Sequence, residues 1–411
     1  MLNANIANSQ ASTPAVILKK MHTALFISLM IVSTFLTIWT TQTMGAAILT
    51  PESEFETEEF SISLDQDGQA IAAVNQGPVK WHPGHYIMLV NPGKESDWYM
   101  NQIYNELETH PAMRGIAVRF QWAELEKSKG VYDFSLIDKL LTQLAARKKR
   151  LIILVEVKSF KANEIRVPKY LQTAEYDGGI FPHGSGGVIK GYNIKLWNQN
   201  VYLRFAALVS AMGKHLNAHP YFEGLGQQET AMGNPIKPLT STQTNTYFAN
   251  LLKINQQMRN SFPNTMSFQY TNYPRGILKS FVTGLKEMGA TLGCPDIFIQ
   301  EPGLNFPGSK NSPKGIYPYF TELSGILPLA VQVEQSNYEN TRHDGSGYQP
   351  TITELLNFAK QNLKVNYIFW TRSPGYYDDV MAMLRQKAQT SNPSGGLQAT
   401  CPTSFASCNT N

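Results

Sequence analysis

The chain has 411 residues, 42% of them hydrophobic and 16% charged, with a formal net charge of +4. That balance excludes a disordered polymer and supplies ample material for a core. The slight charge, with no basic block beyond Arg147-Lys-Lys-Arg150 at a helix end, argues against a nucleic-acid surface.

From the amino terminus, Lys19-Lys20 precede an apolar run over 24–39, followed by the small residues Gly45, Ala46 and Ala47. A basic flank, an apolar stretch and a small-residue site predict a signal peptide or an N-terminal membrane anchor over 1–47. The run is somewhat shorter than a comfortable span, so cleavage is the first reading and membrane attachment the second. Either way the rest of the protein is expected to be exported: periplasmic, secreted, or anchored with its folded body outside the cytoplasm. Residues 48–79 are acidic without lysine or arginine, and read as an extended spacer in which 60–64 could pair as an edge strand.

Over 80–388, short apolar runs alternate with helical periodicity. The runs lie at 85–90, 115–120, 151–157, 222–228, 266–270, 296–300, 329–333 and 366–370. Helical stripes fill the gaps: Trp98, Ile103 and Leu107 in the first, Ile137, Leu140, Leu141 and Leu144 in the second, with the weakest somewhere in 317–326. Eight such units predict an α/β fold, a (β/α)8 TIM barrel. A doubly wound sheet is the alternative, but no glycine-rich phosphate loop follows the first run. The connection over 159–198 is unusually long, and predicts an insertion after strand 3 that shapes a cleft or remains a loose loop. Residues 389–411, rich in Ser, Thr, Asn and Gly, read as a flexible polar tail. Within it Cys401 and Cys408 could close a small loop in an oxidising compartment. Cys294 reads as a buried side chain at the start of a strand, and no His/Cys spacing predicts a metal or cofactor.

The carboxyl ends of barrel strands converge on one mouth. They would present His82 or Asn91 near strand one, then Arg119 with Trp122, Lys158, Gln228-Glu229, residues 270–273, Glu301, Glu334, and Trp370-Thr371-Arg372. Charges just past apolar strands are solvated, paired or functional, since a lone buried charge is costly. Paired carboxylates suit glycosidic cleavage, in which one protonates the departing oxygen and the other attacks or stabilises the sugar cation. Glu229 is assigned as acid/base and Glu334 as nucleophile. An ionised Glu334 would raise the proton affinity of Glu229, and Arg119 would keep Glu334 charged. Arg119, Trp122, Lys158, Gln228, Tyr270, Glu301 and Trp370 are the expected substrate-binding residues. For any aromatic among them, core packing is the competing role.

Three passages carry a resemblance. The segment 119–134, Arg-Phe-Gln-Trp-Ala-Glu-Leu-Glu-Lys-Ser-Lys-Gly-Val-Tyr-Asp-Phe, Gln228-Glu229 after strand four, and Glu334 after strand seven with Trp370 ending strand eight are similar to clan A of the glycoside hydrolases. That resemblance spans roughly 81–388 and implies a retaining glycosidase with its acid/base after strand four and its nucleophile after strand seven. Gln228 departs from the asparagine usual before the acid/base. The expected function is therefore exported hydrolysis of a poly- or oligosaccharide, with carbohydrate as the partner. A silent carbohydrate-binding barrel tethered at the cell envelope is the alternative, and a catalytic role for Glu301 a third reading.

Overall fold

The computed structural model describes residues 77–90 and 92–411. The export segment, the spacer through residue 76 with its possible edge strand, and Asn91 lie outside the described residues. Among the described residues no helix is long and apolar enough to cross a membrane.

Eight parallel strands close into a barrel: β1 (Gly84–Leu89), β2 (Met113–Gln121), β3 (Arg150–Glu156), β4 (Phe222–Gln227), β5 (Met266–Tyr270), β6 (Thr291–Cys294), β7 (Leu329–Val333) and β8 (Tyr367–Thr371). Each strand pairs with its sequence neighbours, and β8 returns to β1 in register Tyr367↔Gly84 through Thr371↔Met88. The outer layer holds α1 (Asp97–Thr109), α2 (Ser135–Ala146), α3 (Gln199–Leu216), α4 (Ser241–Ser261), α5 (Arg275–Glu287), α6 (Tyr317–Leu323), α7 (Ile352–Asn357) and α8 (Tyr377–Leu384). This is the predicted (β/α)8 barrel.

The strands are short and apolar because both of their faces are covered. Alternate residues face opposite ways. Tyr86, Met88, Ala117, Ile152, Leu154, Met266, Phe268, Tyr270, Ala330, Tyr367 and Phe369 fill the interior. Their neighbours Ile87, Ile116, Val118, Ile153, Val331 and Ile368 pack against the helices. Gly226 is required by this filling: a Cβ there would lie 1.9 Å from the Phe268 ring.

Two expectations about elements are corrected. The apolar run at 296–300 is not the sixth strand: β6 is Thr291–Cys294, so Cys294 ends a strand rather than beginning one. Pro295 interrupts the ladder, and the apolar residues after it, Ile297 and Phe298, are buried by a loop instead. In α1 the buried stripe is Tyr99, Met100, Ile103, Tyr104 and Leu107, whereas Trp98 is 73% exposed.

Between β3 and α3 the chain forms an antiparallel hairpin, Ile180–Ser185 with Val188–Ile194. Backbone bonds from Gly184 to Asn234 (2.8 Å) and from Ile236 to Pro182 (3.0 Å) seat it against the segment after β4.

The carboxy-terminal stretch is packed, which departs from the flexible tail expected of its composition. Val79–Lys80 pairs with Cys408–Asn409, and Trp81 Nε1 donates to Ala399 O at 2.8 Å. The Phe405 ring meets Trp81 edge-on at 6.0 Å, joining the interior cluster at the amino-terminal end of the barrel. Polar composition misled because the stretch needs only a few apolar anchors and one covalent tie, the Cys401–Cys408 disulfide. Closing so short a loop constrains the unfolded chain modestly. Cys401→Ser is expected to cost about 2 kcal/mol, read as a lower denaturation midpoint that reductant no longer shifts.

Candidate active site

At the carboxyl ends of the strands, the two-residue alternation decides what enters the mouth. Arg119 continues the inward series of β2, Glu156 and Lys158 that of β3, Gln332 and Glu334 that of β7, and Thr371 that of β8. From β2, Arg119 reaches across the mouth to Glu334, while its other terminal nitrogen lies 3.4 Å from Glu156. Glu156 is also held by Arg166 at 2.6 Å. Burial would lower the proton affinity of Arg119, but the Glu334 and Glu156 charges outweigh it and raise the guanidinium above its ordinary value.

Glu334 is aimed by its own turn. Its backbone N–H donates to Asn337 Oδ1 at 2.8 Å, at the start of the short helix Gln335–Glu339. Gln332 Nε2 donates to its carboxylate, and Tyr270 Oη donates to Gln332 Oε1 at 3.0 Å. Tyr270 thus acts on Glu334 through Gln332 and is itself buried in the barrel interior, not presented to a ligand. Glu334 keeps 28% of its side-chain surface open.

Glu229 follows β4. Lys158 Nζ lies 2.5 Å from its Oε1, and Asn272 Nδ2 donates to its Oε2 at 2.7 Å. The ammonium is fixed by a second bond to Ala231 O at 2.5 Å. The expected rise in the proton affinity of Glu229 is reversed here. Burial does push it up, but the Lys158 charge, the hydrogen bonds from Lys158 and Asn272, and the nearby His343 together hold the carboxyl below the usual carboxylate range.

A third carboxyl belongs to this mouth and was missed. With β6 ending at Cys294, the acid just past it is Asp296, half-buried, and not Glu301. Asn337 Nδ2 donates to its Oδ1 at 3.2 Å. Burial, followed by the charges of Glu229 and then Glu334, raises Asp296 to about 8. The charges of both glutamates thus bear on this one carboxyl. The signal was present in Gly-Cys-Pro-Asp, where a proline marks the strand end, but the apolar residues after the aspartate outweighed it. Asn272 was covered by the expected 270–273 group without being singled out.

Besides Tyr270, four expected substrate contacts are otherwise employed, and one end-assignment fails. Glu301 caps the short helix Pro302–Asn305, its side chain accepting from the Leu304 N–H. Gln228 is locked on β3: its Oε1 accepts from Val157 N (2.7 Å) and Lys158 N (2.6 Å), and its Nε2 donates to Lys158 O at 3.0 Å. Trp370 sits one residue off the inward series and points to the helix layer. Its Nε1 donates to His85 Nδ1 at 3.0 Å, and burial pushes that imidazole down to about 4, so a neutral ring bridges Trp370 and Gly395 O. Trp122 stacks on Phe205 at 4.9 Å and donates to Glu126 at 2.7 Å. Glu126 also accepts from Gly130 N and Arg204, so the middle of the 119–134 passage is a turn tied to a buried carboxylate, with residues 127–131 exposed. His82 precedes β1 and lies at the opposite end, bonded to Glu223. The structure does bring Arg119, Lys158, Glu229 and Glu334 to the mouth. An aromatic not singled out, Phe160, stands 49% exposed with Lys158 Nζ 4.6 Å from its ring centre. Among the described residues, no group of His, Cys, Asp and Glu side chains is placed to hold a metal ion.

No protein-family model matches the chain, and no curated protein matches its sequence. Solved structures do resemble it. The catalytic domain of a β-amylase from Paenibacillus polymyxa aligns over 74% of this chain and 98% of its own, at 7% identity and a TM-score of 0.52. A β-galactosidase from the psychrophilic Marinomonas ef1 aligns over 77% of this chain and 61% of its own, at 9% identity and a TM-score of 0.49. Endo-glycoceramidase II from Rhodococcus sp. aligns over 73% and 77%, at 11% identity and a TM-score of 0.47. At 7% identity the first likeness speaks to the fold alone, a (β/α)8 barrel.

Proposed function

We propose that this barrel is a glycoside hydrolase that cleaves O-glycosidic bonds of a poly- or oligosaccharide with retention of configuration. The observation that carries the reading is that Glu229 and Glu334 follow β4 and β7, whose carboxyl ends open on the mouth of one closed barrel, each paired there with a cation, Lys158 and Arg119. Glu334 is the nucleophile: Arg119 pairs with its carboxylate and Gln332 and Asn337 orient it, so that it attacks the anomeric carbon. Glu229 stands on the leaving-group side, fixed by Lys158 and Asn272. A glycosyl–enzyme intermediate then forms and is hydrolysed by water. Export of the protein fits the apolar segment at 24–39 and the Cys401–Cys408 pair.

Incubation with a panel of plant and bacterial polysaccharides, with the anomer of the first product followed by proton NMR, tests this. Release of sugar with retained configuration is expected, whereas an inverted product removes Glu334 as nucleophile. A second reading, a silent glycan-binding barrel, draws on the Lys158–Glu229 ion pair, which opposes protonation of Glu229. Saturable binding in calorimetry without product on any glycan would favour it.

A further inference from the structure

Lys158 is followed by a ring that the core does not use. Phe160, two residues on, keeps 49% of its surface open, and its ring centre lies 4.6 Å from Lys158 Nζ. The ring is not what fixes that ammonium, which Glu229 Oε1 and Ala231 O already hold, each at 2.5 Å. Yet the ring is built into place. Ser159, just before it, donates its N–H to Tyr192 O at 2.8 Å and accepts the Tyr192 N–H on its hydroxyl at 3.0 Å. His183 Nε2 donates to Ser159 O at 2.9 Å, and the imidazole meets the Phe160 ring at 77° with centres 6.1 Å apart. A Cβ at Gly191 would stand 2.1 Å from Ser159 O, so this approach requires glycine. Tyr192 and His183 lie on the two strands of the hairpin that is seated against the segment after β4. The insertion after β3 thus props an exposed phenyl ring at the barrel mouth.

Topology gives the ring a side. In the closed order β3 adjoins β4 and stands four strands from β7, the far side of an eight-strand ring. Phe160 therefore belongs with Glu229, on the leaving-group side, and away from Glu334. Lys158 Nζ lies 4.6 Å from the ring centre and 2.5 Å from Glu229 Oε1, so one ammonium separates the ring from that carboxylate. A proton donor stands about 3 Å from the oxygen it protonates, and stacked rings have centres about 4.5–7 Å apart. A sugar whose linking oxygen meets Glu229 is thus within stacking distance of Phe160. Trp122 and Trp370, the tryptophans expected to meet substrate, are buried in packing, whereas Phe160 is open.

We propose that Phe160 is the platform for the first sugar of the leaving group, a role that rests on the glycosidase reading above. An aromatic face presents negative charge density to the C–H bonds of a sugar's apolar face, and stacking removes both surfaces from water. The contact lies outside the reacting sugar, so it selects substrates by what departs. A chain that continues past the cleaved bond is favoured over the glycoside of a small alcohol. In the second step the same platform holds an incoming sugar whose hydroxyl replaces water at the glycosyl–enzyme ester. The acceptor oxygen bonds to the anomeric carbon, its proton passes to Glu229, and the Glu334 carboxylate is released.

Phe160→Ala and Phe160→Trp would be compared with wild type on substrates that share a reacting sugar and differ in what leaves. Glycosyl fluorides of glucose, galactose, mannose and xylose, in both anomers, release a single ion; the matching oligosaccharides release a sugar. For Phe160→Ala, kcat/KM on the fluoride is expected within about threefold of wild type. On the oligosaccharide it should fall about 10–100-fold, and Phe160→Trp should restore it. With a sugar acceptor added to the fluoride, the ratio of transfer product to hydrolysis should fall in Phe160→Ala by a similar factor. Equal losses on fluoride and oligosaccharide would mean that the ring acts through Lys158 and Glu229. An unchanged transfer ratio would place the lost contact on the other side of the cleaved bond. Either result, or undiminished oligosaccharide cleavage by Phe160→Ala, overturns the assignment and leaves the glycosidase reading intact. A wild type inert on every fluoride and on the polysaccharide panel above removes that reading, and this one with it.

Discussion

Glu334→Gln is expected to lower kcat by about 10⁴-fold or more while the variant remains folded. Glutamine keeps the shape of the side chain but removes the charge that Arg119 crosses the barrel mouth to meet. It also changes what the Gln332 amide donates to. A neutral amide cannot form the glycosyl ester, so the loss falls on kcat while KM changes little. The stability cost is limited because Arg119 retains Glu156 at 3.4 Å. Steady-state kinetics beside a thermal melt would separate the effects. A folded variant keeping a tenth of wild-type turnover would remove Glu334 from the mechanism.

The second large effect belongs to the opposite end of the barrel. Glu223, at 0% exposure, accepts from His82 N (2.7 Å), the His82 imidazole (2.8 Å) and Tyr367 Oη (2.9 Å), with Arg150 at 3.6 Å. Glu223→Ala would strand these donors in the core, at an expected cost of about 3–5 kcal/mol. In a domain of this size that is a fall of roughly 10 °C in the thermal midpoint. Activity per folded molecule should be unchanged, since the mouth lies at the other end of the strands. Burial raises the proton affinity of Glu223, but the bonds and charges of His82 and Arg150 outweigh it, and the carboxyl is held below its usual range. The sign follows. Its stabilisation is complete above the ordinary carboxylate value and is lost as pH falls through the lowered one. Wild type should therefore lose stability in acid more steeply than Glu223→Ala, and parallel acid profiles would count against the network.

Much of this architecture was legible in the sequence. Short apolar runs alternating with helical stripes predicted a barrel, and β5 and β7 fall where the runs did. Glu229 and Glu334 were found because a charge after an apolar strand is conspicuous. The same pattern misplaced β6, because a buried loop run and a buried strand look alike over five residues. It also promoted Trp122, Trp370 and Gln228, whose partners Phe205, His85 and the Lys158 backbone are distant in sequence. Counting inward residues along β8 would have excluded Trp370, since Tyr367, Phe369 and Thr371 alternate with it.

By itself the sequence determined the eightfold repeat and, through the two-residue pleat, which side chains of each strand enter the barrel. Both are local properties, set by neighbours in the chain. Only the tertiary structure decided how the acids of the mouth are matched: Lys158 with Glu229, Arg119 with Glu334, and Asp296 between two like charges. Charge interactions depend on distance in space and on the exclusion of water, and neither exists until the closing sheet has brought remote strand ends together.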